Sequence, residues 1–311
     1  MGIRSQVNFV PHVHLLPIEG DNNCPPITNV IVRVNDSEDK WIEETTEKIG
    51  DWRSLSRTTY IRWSLAINGL MVASERYQDW PGDRKFVVKT MRIDGEASIA
   101  EWSGETTSEH CKSTAELIAA NCIVDLYGCL EEVVFEAYRI YLNHNPLAIL
   151  PGDCFRELRR LFRKFQAGEE GGEAWPEQWE KRVTSWQRKR LYDGLGKVLK
   201  SYFQHTGLER PSWYQLTTVD TWAETISGIS ELRNLITHGG TKVSQELADF
   251  SERPFAATFD FETGAPLVVK THHMQSVEMF IDQLLFALNI SLTEKAFGAF
   301  PVSDRPETLE P

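Results

Sequence analysis

The apolar positions of this chain change period along its length, and each change marks a predicted element. Pro11, Pro17, Pro25 and Pro26 interrupt any helix near the start and leave residues 1–50 irregular. Within that stretch Ile27-Thr28-Asn29-Val30-Ile31-Val32-Arg33-Val34 is dense in β-branched residues and reads as a strand. Over 54–79, Leu55, Ile61, Leu65, Leu70, Met71 and Val72 recur near helical spacing until Pro81-Gly82 stops the run. Phe86 to Ile93 reads as a second strand, and the Glu/Ser/Thr/Gly-rich stretch 94–112 as a linker.

The rest of the chain is mainly of helical period. The longest predicted helix spans 113–143, opened by the capping-box spacing of Ser113 and Glu116 and closed at Asn143-His144-Asn145-Pro146. Further helices are predicted at 153–167, 175–203, 219–238 and 273–297, with Glu169 to Glu173 as a solvated loop. Phe255 to Phe261, the turn Glu262-Thr263-Gly264-Ala265 and Leu267-Val268-Val269 predict a β-hairpin before the last helix. The fold class is therefore mainly α. A mixed α/β N-terminal accessory or sensor region (1–110) precedes a helical bundle with a hairpin insertion (111–300), and an acidic disordered tail (301–311) follows.

Composition narrows the class. Hydrophobic and charged fractions of 41% and 25% are ordinary for a soluble globular protein. No apolar run reaches the roughly 18 residues of a membrane span, and Met1 to Gln6 lacks the apolar core of a secretory signal. The five cysteines are odd in number and include no Cys-x-x-Cys pair, so neither a disulfide framework nor a zinc site is indicated. The expectation is a cytoplasmic protein without a membrane partner or cofactor. His12-x-His14 and His272-His273 stand beside no carboxylate or cysteine cluster, so no metal site is expected.

The net charge of −12 argues against a non-specific nucleic-acid coat, because phosphate binding needs positive potential. Local charge departs from the mean. Residues 153–200 hold twelve Lys/Arg against eight Asp/Glu, an excess of four positive charges. Arg156, Arg160, Arg163 and Lys164 share one helical face, and Arg188 and Lys189 belong to a second cluster interleaved with Trp175, Trp179 and Trp186. Such an asymmetry fits an RNA-binding groove in an acidic protein, or simply a solvated helix face above a tryptophan core.

The sharpest chemical signal is Glu231-Leu232-Arg233-Asn234-Leu235-Ile236-Thr237-His238-Gly239-Gly240. Arginine offers a permanent cation whose planar fork matches phosphate oxygens. Histidine, with an ordinary pKa of about 6.5, transfers protons near neutrality. Together such groups can cleave RNA without a metal, using the substrate's own 2′-hydroxyl as nucleophile. On a continuous helix, however, five residues leave the two side chains roughly 140° apart. Convergence then requires either a loosened helix end at Gly239-Gly240 or a second copy of the motif. The alternative assigns Arg233 to a surface ion pair and His238 to helix capping.

This segment resembles the HEPN superfamily, whose ribonuclease members carry an Arg, usually a polar residue after it, and a His with four to six residues between. The resemblance implies a HEPN-type bundle, a homodimer with the site across its interface, and an RNA substrate. It also implies a toxin or anti-phage role, with a protein regulator or antitoxin as a possible partner. In that reading Arg233 and His238 are catalytic and Asn234 binds phosphate or positions His238. Glu131 and Glu132, on the helix expected beside the motif helix, supply a carboxylate for Arg233 or face solvent. The family also contains non-catalytic scaffolds that dimerise and bind RNA, nucleotide or protein; in that case residues 1–110 would carry the main activity. A third reading makes that portion a sensor that restrains the nuclease.

Overall fold

The computed structural model describes residues 29–35, 39–212, 214–253 and 259–299. Its frame is a pair of long antiparallel helices, α1 (Lys40–Gln78) and α2 (Gly104–His144), joined by a two-stranded antiparallel hairpin, β1 (Lys85–Arg92) and β2 (Gly95–Ser103). Helix α1 begins well before the predicted position 54. Trp41, Ile42, Ile49 and Trp52 form its buried stripe and make residues 40–50 helical rather than irregular. The predicted linker 94–112 is instead β2 and the first turns of α2. Its polar composition suggested a loop, but Trp102 pairs across the hairpin with Phe86 and the two rings stack. The cap of α2 is Ser103, whose hydroxyl accepts from the Thr106 N–H at 3.1 Å. Ser113, expected to cap, lies inside the helix and donates to the His110 carbonyl. The expected domain boundary at 110/111 thus falls within one unbroken helix.

The predicted strand at 27–34 forms no ladder. Ile27 and Thr28 lie outside the described residues, and Asn29–Val34 has no regular secondary structure. Its backbone is satisfied by side chains instead. Asn289 accepts from the Val30 N–H (2.9 Å) and donates to the Val30 carbonyl (2.8 Å), and Thr46 accepts from Val32 (3.0 Å).

The remaining helices are α3 (Arg156–Ala167), α4 (Trp175–Arg190), α5 (Leu195–Thr206), α6 (Val219–Thr237), α7 (Gln245–Ser251) and α8 (Thr271–Phe297). Helices α5, α6 and α8 pack on α2 through fully buried residues that include Tyr202, Ile226, Ile229 and Leu232. Each such side chain stabilises by about 1.5–3 kcal/mol, so this core dominates the local propensities. The predicted helix 175–203 is broken into α4 and α5. Gly194 sits at φ +85°, a backbone region that β-carbon sterics deny to other residues.

The predicted hairpin at 255–269 is also revised. Phe255 to Thr258 lie outside the described residues, and Phe259–Val269 contains no strand. Leu267 and Ala265 bond instead to Thr241 and Val243, immediately after the motif. The alternating Phe259 and Phe261 use their apolar character to pack on Phe250 and His273. The expected tail at 301–311 lies outside the described residues.

Candidate functional site

Helix α6 starts with a reciprocal cap between Thr218 and Thr221. It ends in a Schellman motif. Gly240 N–H donates to Leu235 (2.7 Å) and Gly239 N–H to Ile236 (3.3 Å), with Gly239 at φ +70°. The helix keeps its hydrogen bonds up to this point. His238 is the capping residue itself, exposed, with its backbone N–H on Asn234. The loosened end expected from Gly239-Gly240 is therefore a defined turn, and His238 lies just beyond the last helical residue.

Arg233 is half-buried against α2. Its guanidinium donates to the Asn234 side-chain oxygen at 3.0 Å and lies 5.5 Å from the centroid of the Tyr127 ring. Its Nε is buried without a hydrogen-bond partner. Tyr127 is itself buried, with Ser230 near its phenol. Burial pushes the phenol above its ordinary value; Ser230 and Arg233 pull it down, and Glu131 adds to the rise. Glu131 therefore stands in the same polar cluster, half-buried, whereas Glu132 is exposed. No hydrogen bond joins the Arg233 guanidinium to the His238 ring among the described residues. Arg233 and Asn234 are brought together within the chain, and His238 stands beside them at the surface.

The basic residues lie on α3 and α4 rather than on the motif helix. Arg156, Arg160 and Arg163 are exposed on α3, with Lys164 half-buried, and Arg188 and Lys189 are exposed at the end of α4. Arg160 pairs with Glu157 at 2.7 Å. Arg160, Lys164 and Gln178 line a groove of about 290 Å³ between α3 and α4. Trp179 meets α2 at Asn143, 16 residues from Tyr127 and so roughly 24 Å along the helix. Trp186 meets it at Phe135 and Tyr138, roughly 12–17 Å from Tyr127. Trp186 thus meets α2 nearer to Tyr127 than Trp179 does. The interleaved Trp175, Trp179 and Trp186 are all buried core residues and offer no stacking surface for bases.

A second cluster was not visible in the sequence. The fold sets Asp260 beside His272-His273, supplying the carboxylate that neighbouring residues lacked, and the three ligand atoms lie within 4.8 Å of one another. Hydrogen bonding decides how His273 is used. Its Nδ1 accepts the Lys270 backbone N–H (3.0 Å), so the ring proton resides on Nε2 and is donated to Asp260 (2.6 Å). An Nε2 that carries a proton has no lone pair for a metal, and the Lys270 ammonium, 3.8 Å from Asp260, further disfavours a cation. The donor set fits a latch between residues 259–262 and α8 rather than a metal centre. Burial lowers the His273 pKa, and the bond from His273 lowers that of Asp260.

Of the cysteines, Cys122 and Cys129 are buried on α2, and burial pushes the Cys122 thiol far above its ordinary range, which removes it as a nucleophile. No helix among the described residues is long and apolar enough to cross a membrane. Comparison with protein-family models, with curated proteins and with solved structures finds no match.

Proposed function

We propose that this chain is a metal-independent endoribonuclease of HEPN type, acting as a homodimer on single-stranded or looped RNA, in a toxin or anti-phage role. The observation that carries the reading is the Schellman-capped end of α6. There a braced Arg233–Asn234 pair stands next to an exposed His238. In the reaction, His238 takes the proton of the RNA 2′-hydroxyl, O2′ attacks the adjacent phosphorus, and the P–O5′ bond breaks. The products are a 2′,3′-cyclic phosphate and a 5′-hydroxyl, the leaving oxygen taking a proton from an imidazolium or from water. Arg233 stabilises the charge that grows on the non-bridging oxygens, and Asn234 orients it. General acid–base catalysis typically supplies a factor of about 10²–10⁴. A donor aimed at the developing charge supplies about 10²–10³. Convergence of Arg233 with the partner's His238 answers the divergence of the two side chains along one helix.

The test is purified protein with total RNA plus EDTA, beside Arg233→Ala and His238→Ala. Chelator-resistant cleavage that is lost in both variants supports the reading; identical RNA patterns in all three samples would sink it. A second reading, a HEPN scaffold that dimerises and binds RNA, nucleotide or protein without cleaving, is favoured by the internal engagement of Arg233 with Asn234 and Tyr127. A dimer with no cleavage under any ionic condition would select it.

A further inference from the structure

We propose that Tyr127 is the positioning residue of this site, its ring acting as the platform that aims the Arg233 guanidinium at the scissile phosphate; this role rests on the ribonuclease reading above.

The geometry of two helix faces supports it. On α6, Ser230 and Arg233 are three residues apart and so share a face. On α2, Tyr127 and Glu131 are four apart and share the opposing face. The ring of Tyr127 lies under the Arg233 cation, and Ser230 stands one turn before Arg233 on the same side of α6. Tyr127 is 6% exposed, so close packing holds the ring face in place before any substrate arrives.

Arginine has a long stem and many rotamers, and ordering it at the moment of reaction would cost entropy. Here the cost is met during folding. Asn234 holds one edge of the guanidinium and Tyr127 holds its position. Tyr127 touches no reacting atom in this scheme; it acts through Arg233.

Two substitutions separate the ring from the hydroxyl. Tyr127→Phe keeps the platform and removes the hydroxyl. Tyr127→Leu removes the platform. Ile226→Ala is the control, a fully buried α6 residue two turns from Arg233. Single-turnover and steady-state cleavage of a short RNA in EDTA are measured with each folded variant, alongside thermal denaturation. Tyr127→Leu is expected to lower kcat about tenfold with KM within about twofold. Tyr127→Phe should stay within about threefold of wild type, and Ile226→Ala should lose stability while keeping its kcat. Equal kcat in Tyr127→Leu and Ile226→Ala overturns the positioning role, as does a Tyr127→Phe defect as large as that of Tyr127→Leu. A wild-type protein inactive in EDTA overturns the ribonuclease reading itself and this role with it. Because the wild type is read first, the two failures are distinguishable.

Discussion

Gly228 on the motif helix offers a direct test of how α7 is seated, because two effects of opposite sign compete there. Replacing a mid-helix glycine by alanine ordinarily stabilises by about 1 kcal/mol through propensity. At Gly228 a β-carbon would stand 2.4–2.6 Å from three carbons of the Phe250 ring. Carbon atoms settle about 3.5–4.0 Å apart, so the ring must withdraw by roughly 1 Å. It has little freedom to do so. Phe250 is 8% exposed and packs edge-on against Phe259 at 5.6 Å. Helix α7 is tied to α6 by the Ser244–Glu231 bond of 2.7 Å. Overpacking of this kind costs about 1–3 kcal/mol, which exceeds the propensity gain over most of its range. Gly228→Ala should therefore destabilise by up to about 2 kcal/mol, read as a lower urea midpoint at unchanged m-value. Phe250→Ala alone should cost about 3–5 kcal/mol, and the double variant should be more stable than the sum by about 1–3 kcal/mol, since the clash is then gone. A stabilising Gly228→Ala, or strictly additive losses, would refute this account of the α6–α7 contact.

Three further outcomes follow from the structure. Asp260 and His273 both have folded pKa values below their unfolded ones, so the stability they contribute is present above the unfolded values and lost as pH falls through the folded ones; Tm should decline from about pH 6.5 downward, and His273→Ala, less stable at pH 7, should show a shallower decline between pH 7 and 5, parallel curves being the contrary result. Arg53, 3% exposed, donates twice to Asp282 at 2.8 and 2.7 Å; breaking such a pair costs about 3–5 kcal/mol, but Asp282 keeps Arg57 at 2.8 Å, so thermal denaturation of Arg53→Ala should show a loss nearer the lower end. Gly239→Ala places a β-carbon at φ +70° and should cost about 1–2 kcal/mol, with Gly239→Asn losing less; equal stability of all three proteins in urea would remove the Schellman turn as the device that seats His238.

The local pattern and the tertiary packing determined different things about this protein. The period of apolar residues was enough to place α3, α6 and α8 and strand β1 nearly where they stand, because a helix or strand must bury one face whatever lies opposite. Glycine and proline placed several ends, since the backbone limits they relax or impose are properties of one residue. Those same local rules put Arg233, Asn234 and His238 at the end of one helix. They failed where a partner distant in sequence supplied the energy. Residues 94–112 read as a linker until Phe86 gave Trp102 a partner across the hairpin. Asn29–Val34 read as a strand although its hydrogen bonds go to Asn289, Thr46 and Glu43. Tyr127 had one sequence signal, its four-residue spacing from Glu131, but its place beneath Arg233 depends on how α2 and α6 pack. Asp260 meets His273 only after α7 has turned the chain back on itself. Periodicity is written in the order of the residues; the pairing of faces is settled by which apolar surfaces cover one another, and a single chain carries no local mark of that choice.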